Sequence, residues 1–127
     1  QTLGPNHLET LTAASNLAET LMDAGKCDEA EALFRRALAG FSAALGQHHT
    51  TTLTCTAFLA SLLEMTGRNA EAEVFFRRAL AGFKETLGPS HNYTLAAADS
   101  LANLLQVMGK KSEARQLHKY ISSMAEG

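Results

Sequence analysis

The sequence predicts an all-α protein made of three stacked helical hairpins. Two observations lead to this prediction: the chain of 127 residues repeats itself every 42 residues, and the apolar residues within each repeat recur with the 3.6-residue period of a helix. The composition agrees, since 46% of the residues are hydrophobic and only two are prolines. Because one hairpin cannot bury its own apolar face, we expect neighbouring repeats to pack on each other.

The repeat is visible as copied blocks of sequence. Residues 34–41, which read FRRALAGF, return unchanged at 76–83, and 21 of 42 positions are identical between residues 1–42 and 43–84. We therefore expect one domain over residues 1–127, with repeat units at approximately 5–46, 47–88 and 89–127.

The first helix of each hairpin is predicted from an apolar stripe that stops before a glycine. In the first repeat the stripe has the spacing i, i+3, i+4 and i+7, at Ala14, Leu17, Ala18 and Leu21. Gly25 follows, and glycine readily takes the left-handed conformation that commonly closes a helix. We expect the stripe to be buried and Gly25 to end the first helix.

The second helix is predicted from a longer stripe after that glycine, at Ala30, Leu33, Phe34, Ala37, Leu38 and Phe41. Asp28 with Glu31 has the spacing of a capping box for this helix, and Asn6 with Glu9 has it for the first helix. The small residues in these stripes should let the helices approach closely. They are Ala18, Ala30 and Ala37, with copies at Ala60, Ala72 and Ala79.

These residues resemble the signature of tetratricopeptide repeats, at Leu17, Ala18, Leu21, Gly25, Ala30, Phe34 and Ala37. The 42-residue period, the LGPxH connector and the EAExLFRRAL helix resemble the kinesin light chain subtype. The resemblance implies a right-handed α-α superhelix. It also implies that the first helices form the inner, concave wall and the second helices the outer, convex one.

The two ends of the sequence differ in how well they keep the pattern. Gln1–Gly4 match Glu85–Gly88, the end of a second helix, whereas His118 stands where the first repeat has Phe34. A more polar last repeat is typical of the end of an array. We therefore expect an earlier repeat before Gln1, so that the chain is the C-terminal part of a longer array that ends near Gly127.

No pattern in the sequence predicts catalysis, a cofactor or a metal site, and we expect no enzyme. Cys27 and Cys55 have neither a redox nor a zinc-finger spacing and are expected to be reduced. One histidine per repeat, at positions 7, 49 and 91, is expected to pack on or cap the following helix. Only the adjacent His48 and His49 give a weak metal signal.

The arginine pairs Arg35–Arg36 and Arg77–Arg78 have two interpretations. They could form a basic strip that grips phosphate or an acidic peptide, or they could belong to a solvated outer face. Glu31 and Glu73 precede the pairs at the i,i+4 spacing of helical ion pairs, which favours the second interpretation.

Composition excludes several other classes. The formal net charge of -2 gives no basic excess for nucleic acid, and no apolar run approaches the roughly 18 to 20 residues of a membrane-spanning helix. We take an intracellular, cytoplasmic location as the default. Because Gln1 stands in place of an initiating methionine, we expect a truncated or processed N-terminus, and organelle targeting stays open.

The resemblance assigns a candidate protein-binding groove to the concave wall. Its members are Ser15, Asn16, Glu19, Met22 and Asp23 from the first repeat, Phe58, Ser61, Glu64 and Met65 from the second, and Asp99, Asn103 and Gln106 from the third. The set holds four acids and no lysine or arginine. This favours a neutral or basic partner with an apolar anchor at Phe58, although the acids could simply keep the inner face soluble.

We therefore expect a protein-interaction scaffold that presents a concave groove to a peptide or helical segment of a partner. A structural or assembly subunit of a large complex, using its convex and edge faces, is the first alternative. A regulatory repeat domain of a larger enzyme is the second. Phe58 also has two interpretations, as the partner's anchor or as a side chain packed between the first and second hairpins.

Overall fold

The structure, a computed structural model, describes residues 8–126 and folds them into six α-helices. These are α1 Leu8–Asp23, α2 Cys27–Leu45, α3 Thr50–Met65, α4 Asn69–Leu87, α5 Asn92–Val107 and α6 Lys111–Glu126. Each helix packs on its neighbours along the chain, and α1 also approaches α3. The predicted all-α superhelix of stacked hairpins is confirmed. We call α1, α3 and α5 the first-helix row, and α2, α4 and α6 the second-helix row.

Each hairpin turns at a glycine in the left-handed conformation. Gly25 has a φ of 83°, and its copies in the next two repeats both have 84°. The Gly25 amide donates to the Met22 carbonyl at 3.0 Å, and the Lys26 amide donates to the Leu21 carbonyl at 2.8 Å. This pair of bonds is the Schellman motif, so the prediction that Gly25 closes the first helix is confirmed.

The capping box predicted for the second helix is wrong. Lys26 is the N-cap residue of α2 and makes no side-chain cap, which places Asp28 inside the first helical turn. The tight glycine turn leads the chain into the helix two residues earlier than the spacing suggested. Glu31 binds Arg35 instead of reaching back to the helix start. Asn6, from the other predicted box, lies outside the described residues.

Small residues allow the two helices of a hairpin to pack closely. A Cβ atom added at Gly82 of α4 would lie 2.4 Å from Cδ2 of Leu53 on α3, and Gly40 has the same relation to Leu11. The predicted close-packing alanines have no solvent exposure. They are Ala18, Ala30, Ala37, Ala60, Ala72 and Ala79.

Of the predicted first-helix stripe, only Ala18 is fully buried, Ala14 and Leu21 are half-buried, and Leu17 is exposed. Leu17 is 51% exposed, whereas its copies Leu59 and Leu101 are 0% and 1% exposed. The copies are covered by the preceding hairpin, and no described residue covers the corresponding face of α1. The sequence pattern was therefore that of an interior helix, but α1 stands at the edge of the described stack.

Ion pairs between successive second helices hold the first and second hairpins in register. Arg35 on α2 binds Glu31 in its own helix and Glu71 on α4, both at 2.9 Å. Arg68, at the start of α4, binds Glu31 at 2.7 Å and Glu71 at 2.8 Å. Burial alone would raise the pKa of Glu31, but the hydrogen bonds from Arg35 and Arg68 outweigh it and lower the pKa.

The second and third hairpins are joined in the same way. Glu73 on α4 accepts from Arg77 at 2.8 Å and from Lys110 at 3.0 Å, and Arg77 reaches Glu113 on α6 at 2.9 Å. The hydrogen bond from Lys110 is the main reason why the pKa of Glu73 is lowered. The i,i+4 pairs expected for Arg35 and Arg77 are thus present, and both arginines also link neighbouring hairpins.

Candidate functional site

The first-helix row carries an apolar pocket of about 360 Å³ between α3 and α5. Its floor is formed by Phe76 and Phe83 of α4. Its two walls come from the first-helix row, with Thr54, Ala57, Phe58 and Ser61 on α3 and Tyr93, Ala96, Ala97 and Ser100 on α5. The volume lies at the lower end of the roughly 300 to 1,000 Å³ found for ligand pockets.

The pocket exists because two equivalent positions carry side chains of different size. On α3, Phe58 lies flat on Phe34, with ring centroids 6.0 Å apart and an interplanar angle of 7°. One repeat later, Ser100 takes the position of Phe58 and Phe76 takes that of Phe34. Serine is shorter than phenylalanine, so the space that an aromatic side chain fills at the first junction is left as a pocket at the second, while Phe76 itself stays 1% exposed.

Phe58 takes the packed position, which is one of the two interpretations from the sequence, while its role as a partner's anchor stays a prediction. One face of its ring packs on Phe34 at the junction of the first two hairpins, and the side chain also lines the wall of the pocket. It is partly buried rather than exposed. Because the ring packs on Phe34, we expect its removal to lower stability whether or not the side chain also contacts a partner.

Histidine caps fix the start of the helices on either side of the pocket. His91 Nδ1 accepts from the Tyr93 amide at 3.0 Å, and His49 Nδ1 accepts from the Thr51 amide at 3.1 Å. The Tyr93 ring also meets the His91 ring edge-on, at 5.1 Å between centroids. The expectation that these histidines cap the following helix is confirmed, while His7 lies outside the described residues.

Of the twelve predicted groove residues, Phe58 and Ser61 line the pocket. The other ten lie around it or along α1, and none is fully buried: Ser15, Asn16, Glu19, Met22, Asp23, Glu64, Met65, Asp99, Asn103 and Gln106. Thr54, Tyr93 and Ala96 were missed by the sequence reasoning. Thr54 and Ala96 lie one helical turn before Phe58 and Ser100, so a helical-wheel comparison of those two positions could have found them.

The surroundings of the pocket are acidic. None of its lining residues is a lysine or arginine, and Asp99 directly precedes the lining residue Ser100 on α5. Glu64 lies one turn after Ser61 on α3, and partial burial raises the pKa of its carboxyl. Within residues 8–126, neither Asp99 nor Glu64 forms an ion pair.

The described residues offer little for metal or thiol chemistry. Over residues 8–126, no group of three or more histidine, cysteine, aspartate or glutamate side chains is placed to hold a metal ion. Burial raises the pKa of Cys55 to about 12, so its thiol stays protonated at neutral pH. Cys27 and Cys55 are both free thiols. In the same range, no helix is long and apolar enough to cross a membrane.

A model of the tetratricopeptide repeat family matches the chain twice, over residues 9–85 and 53–126. Together the two matches cover the three described hairpins. No curated protein matches the chain at a significant level.

Two similar solved structures are of a protein from Podosopora anserina described as a kinesin light chain with nearly identical TPR-like repeats. One is a point variant, with 27% identity and a TM-score of 0.84, and the other has 26% identity and a TM-score of 0.83. Both cover 98% of this chain, which spans only 58% and 59% of theirs. BtubC (BKLC) from P. vanneervenii has the same fold at 18% identity, with a TM-score of 0.87 over 92% of this chain and 46% of its own.

Proposed function

The chain belongs to the tetratricopeptide repeat family, in its kinesin light chain-like form, whose members are in general non-catalytic protein-interaction scaffolds, and from this we propose that its first-helix row is a groove for one segment of a partner protein. The observation that carries the proposal is the open apolar pocket over Phe76. Exposed apolar pockets with a few polar groups at the rim are the usual sites of ligand and peptide recognition.

The partner segment is expected to carry a large apolar side chain, preferably aromatic. The stacking of Phe58 on Phe34 is an internal example of what the position over Phe76 accommodates. Tyr93, half exposed and tilted against Phe83 at 5.8 Å, can close over one edge of such a ring. Aromatic pairs of this kind add about 0.5 to 1.5 kcal/mol beyond the area that they bury.

The residues flanking this side chain are expected to be neutral or basic. Asp99 and Glu64 supply negative charge next to the pocket, and no lining residue supplies a compensating cation. Charges at the edge of an interface act mainly on the association rate and on partner choice. Glu64→Lys should therefore slow association with a basic segment, and added salt should reduce the difference from wild type.

Filling the pocket from within the protein tests the proposal. Peptides of random sequence are selected on the wild-type protein by display and then measured by fluorescence polarisation against Ser100→Phe. The new ring should cover Phe76 as Phe58 covers Phe34, and should weaken binding by about tenfold or more. Arg36→Phe adds the same ring at an exposed position of α2, in the second-helix row and outside the groove, and as the control it should bind normally.

Two results would refute this use of the groove. One is a set of selected peptides without enrichment of large apolar residues. The other is equal affinity of those peptides for wild type and Ser100→Phe, with circular dichroism showing that the variant is folded.

A second candidate, an assembly subunit that uses an edge face, is favoured by the exposed apolar side of α1. Leu17 is 51% exposed there, although its copy Leu59 in α3 is fully buried by the neighbouring hairpin. A helical hairpin of a partner would cover Leu17 in the same way. Under this function, copurification with a complex should be lost in Leu17→Lys and kept in Ser100→Phe, and the reverse pattern would support the groove.

A further inference from the structure

A second, polar pocket lies where α2, the loop before α3, α3 itself and α4 meet. Its volume is about 210 Å³, and it is lined by Leu38, Ser42, Gln47, Thr52, Thr56 and Arg78. We call it the seam pocket. Five of its six lining side chains carry polar groups, which distinguishes it from the apolar pocket between α3 and α5.

The third repeat shows how the same seam looks when it is closed. Tyr120 of α6 occupies the position that Arg78 has in α4, and its hydroxyl donates to the carbonyl of Pro89, which corresponds to Gln47. The ammonium of Lys84 lies 4.6 Å from the centroid of the Tyr120 ring. At the first seam no ring takes this place, and a pocket is left.

The wall of the seam pocket contains a buried hydroxyl without a partner. Thr52 is 1% exposed and its Oγ1 makes no hydrogen bond, whereas Oγ1 of its copy Thr94 donates to the Gly88 carbonyl at 2.8 Å. Thr56 differs, because its hydroxyl proton is already donated to the Thr52 carbonyl at 2.9 Å. Buried hydroxyls are nearly always paired, so an unused donor beside a polar pocket points to a ligand.

Arg78 gives the pocket its charge. Unlike the neighbouring Arg77, which binds two glutamates, Arg78 has no carboxylate within 4.0 Å among residues 8–126. Its guanidinium lies 5.0 Å from the centroid of the Phe75 ring. Arg78 also lines a neighbouring surface pocket that contains one acid, Glu85. The carboxylate of Glu85 lies 4.0 Å from His48 Nε2. No acid lines the seam pocket itself.

We propose that the seam pocket binds a small oxyanion, phosphate or carboxylate, with Arg78 as the charged ligand and Ser42, Gln47 and Thr52 as neutral donors. An arginine fork suits both planar and tetrahedral oxyanions, and hydroxyl and amide donors complete their coordination. The site is separate from the groove and does not depend on it. It also gives different roles to the two arginines of the pair. Arg77 forms ion pairs with Glu73 and Glu113, and Arg78 binds the anion.

Inorganic phosphate and acetate, titrated separately at constant ionic strength and followed by two-dimensional NMR, test the proposal on the whole chain. Saturable shifts are expected at the Gln47 and Thr52 amides and at the Arg78 side chain. Tighter binding of phosphate would identify a phosphorylated group as the natural source, and tighter binding of acetate would identify a carboxylate.

Arg78→Gln should weaken the better anion by about tenfold or more. Arg36→Gln removes the same charge at the same repeat position of α2, outside the seam pocket, and should leave the affinity unchanged. Arg78→Tyr, which copies the closed third repeat, should abolish the shifts and keep the fold. Chemical shifts that rise linearly with anion concentration and do not saturate would overturn the proposal. An equal loss of anion affinity in Arg36→Gln would also overturn it, and the pocket would then hold only water.

Discussion

Replacing Phe58 by alanine is expected to lower the free energy of unfolding by about 2 to 4 kcal/mol. A fully buried phenylalanine costs about 3 to 5 kcal/mol on truncation to alanine, and Phe58 is only partly buried, which reduces the loss. Its flat stack on Phe34, at 6.0 Å between centroids, adds about 0.5 to 1.5 kcal/mol beyond burial. Urea denaturation followed by circular dichroism measures the sum.

Two controls separate the ring from its volume and from exposure. Phe58→Leu keeps most of the apolar contact and loses the stack, so it should cost less than half as much as alanine. Tyr93→Ala removes a ring that is 51% exposed and should change the unfolding free energy by less than about 1 kcal/mol.

An unchanged urea midpoint in Phe58→Ala would refute the reasoning at its first step. The ring would then not rest on Phe34 in solution. The comparison between Phe58 and Ser100, on which the open pocket depends, would lose its basis.

Three further predictions concern the stack itself. Ala60→Leu should overpack the middle hairpin, where Ala60 has no exposure, and cost about 1 to 3 kcal/mol; an unchanged thermal midpoint would contradict the close packing. Gly67→Val should cost about 1 to 3 kcal/mol because the φ of 84° strains a β-branched residue, although a Cβ there meets no atom within 4 Å. Gly67→Asn should cost less, and equal losses in the two variants would point to a cause other than the backbone. Acid should weaken the joint between α4 and α6, because the hydrogen bonds from Lys110 and Arg77 hold the pKa of Glu73 below its ordinary value of 4.5. That stabilisation is present above the unfolded-state pKa of about 4.5 and is lost as the pH falls through the lower folded-state pKa, so below about pH 4.5 the urea midpoint of wild type should fall more steeply than that of Glu73→Gln. Parallel curves would contradict it.

Most of the fold could be predicted because the same helix and turn signals occur in each repeat. The period of 42 fixed the number of hairpins, and glycine at position 25 and its copies marked the turns. The two errors have local causes. Asp28 had a capping spacing, but the length of the turn, which spacing does not contain, decided where α2 begins. Leu17 had a core pattern, but burial depends on a neighbouring hairpin as well as on the residue itself.

Less of the candidate site could be predicted, because repetition describes what the repeats share and the pocket arises where they differ. Phe58 and Ser61 were found from their place in the register. The floor residues Phe76 and Phe83 belong to the core, and the sequence does not show that a short side chain at Ser100 leaves a pocket beside them. The unpaired hydroxyl of Thr52 was also invisible, because its copy Thr94 has the same identity and a satisfied bond.

The last helix is attached to the stack more loosely than the others. Ala114 is its one fully buried residue, and its remaining contacts come from half-buried side chains, the ion pair of Glu113 with Arg77, and the Tyr120 hydroxyl. Local opening follows the least buried element, so amide hydrogens of α6 should exchange with solvent first and those of α3 and α4 last. Opening would then begin at α6, and a force or a protease acting on that helix would next meet α5, in which seven residues are buried.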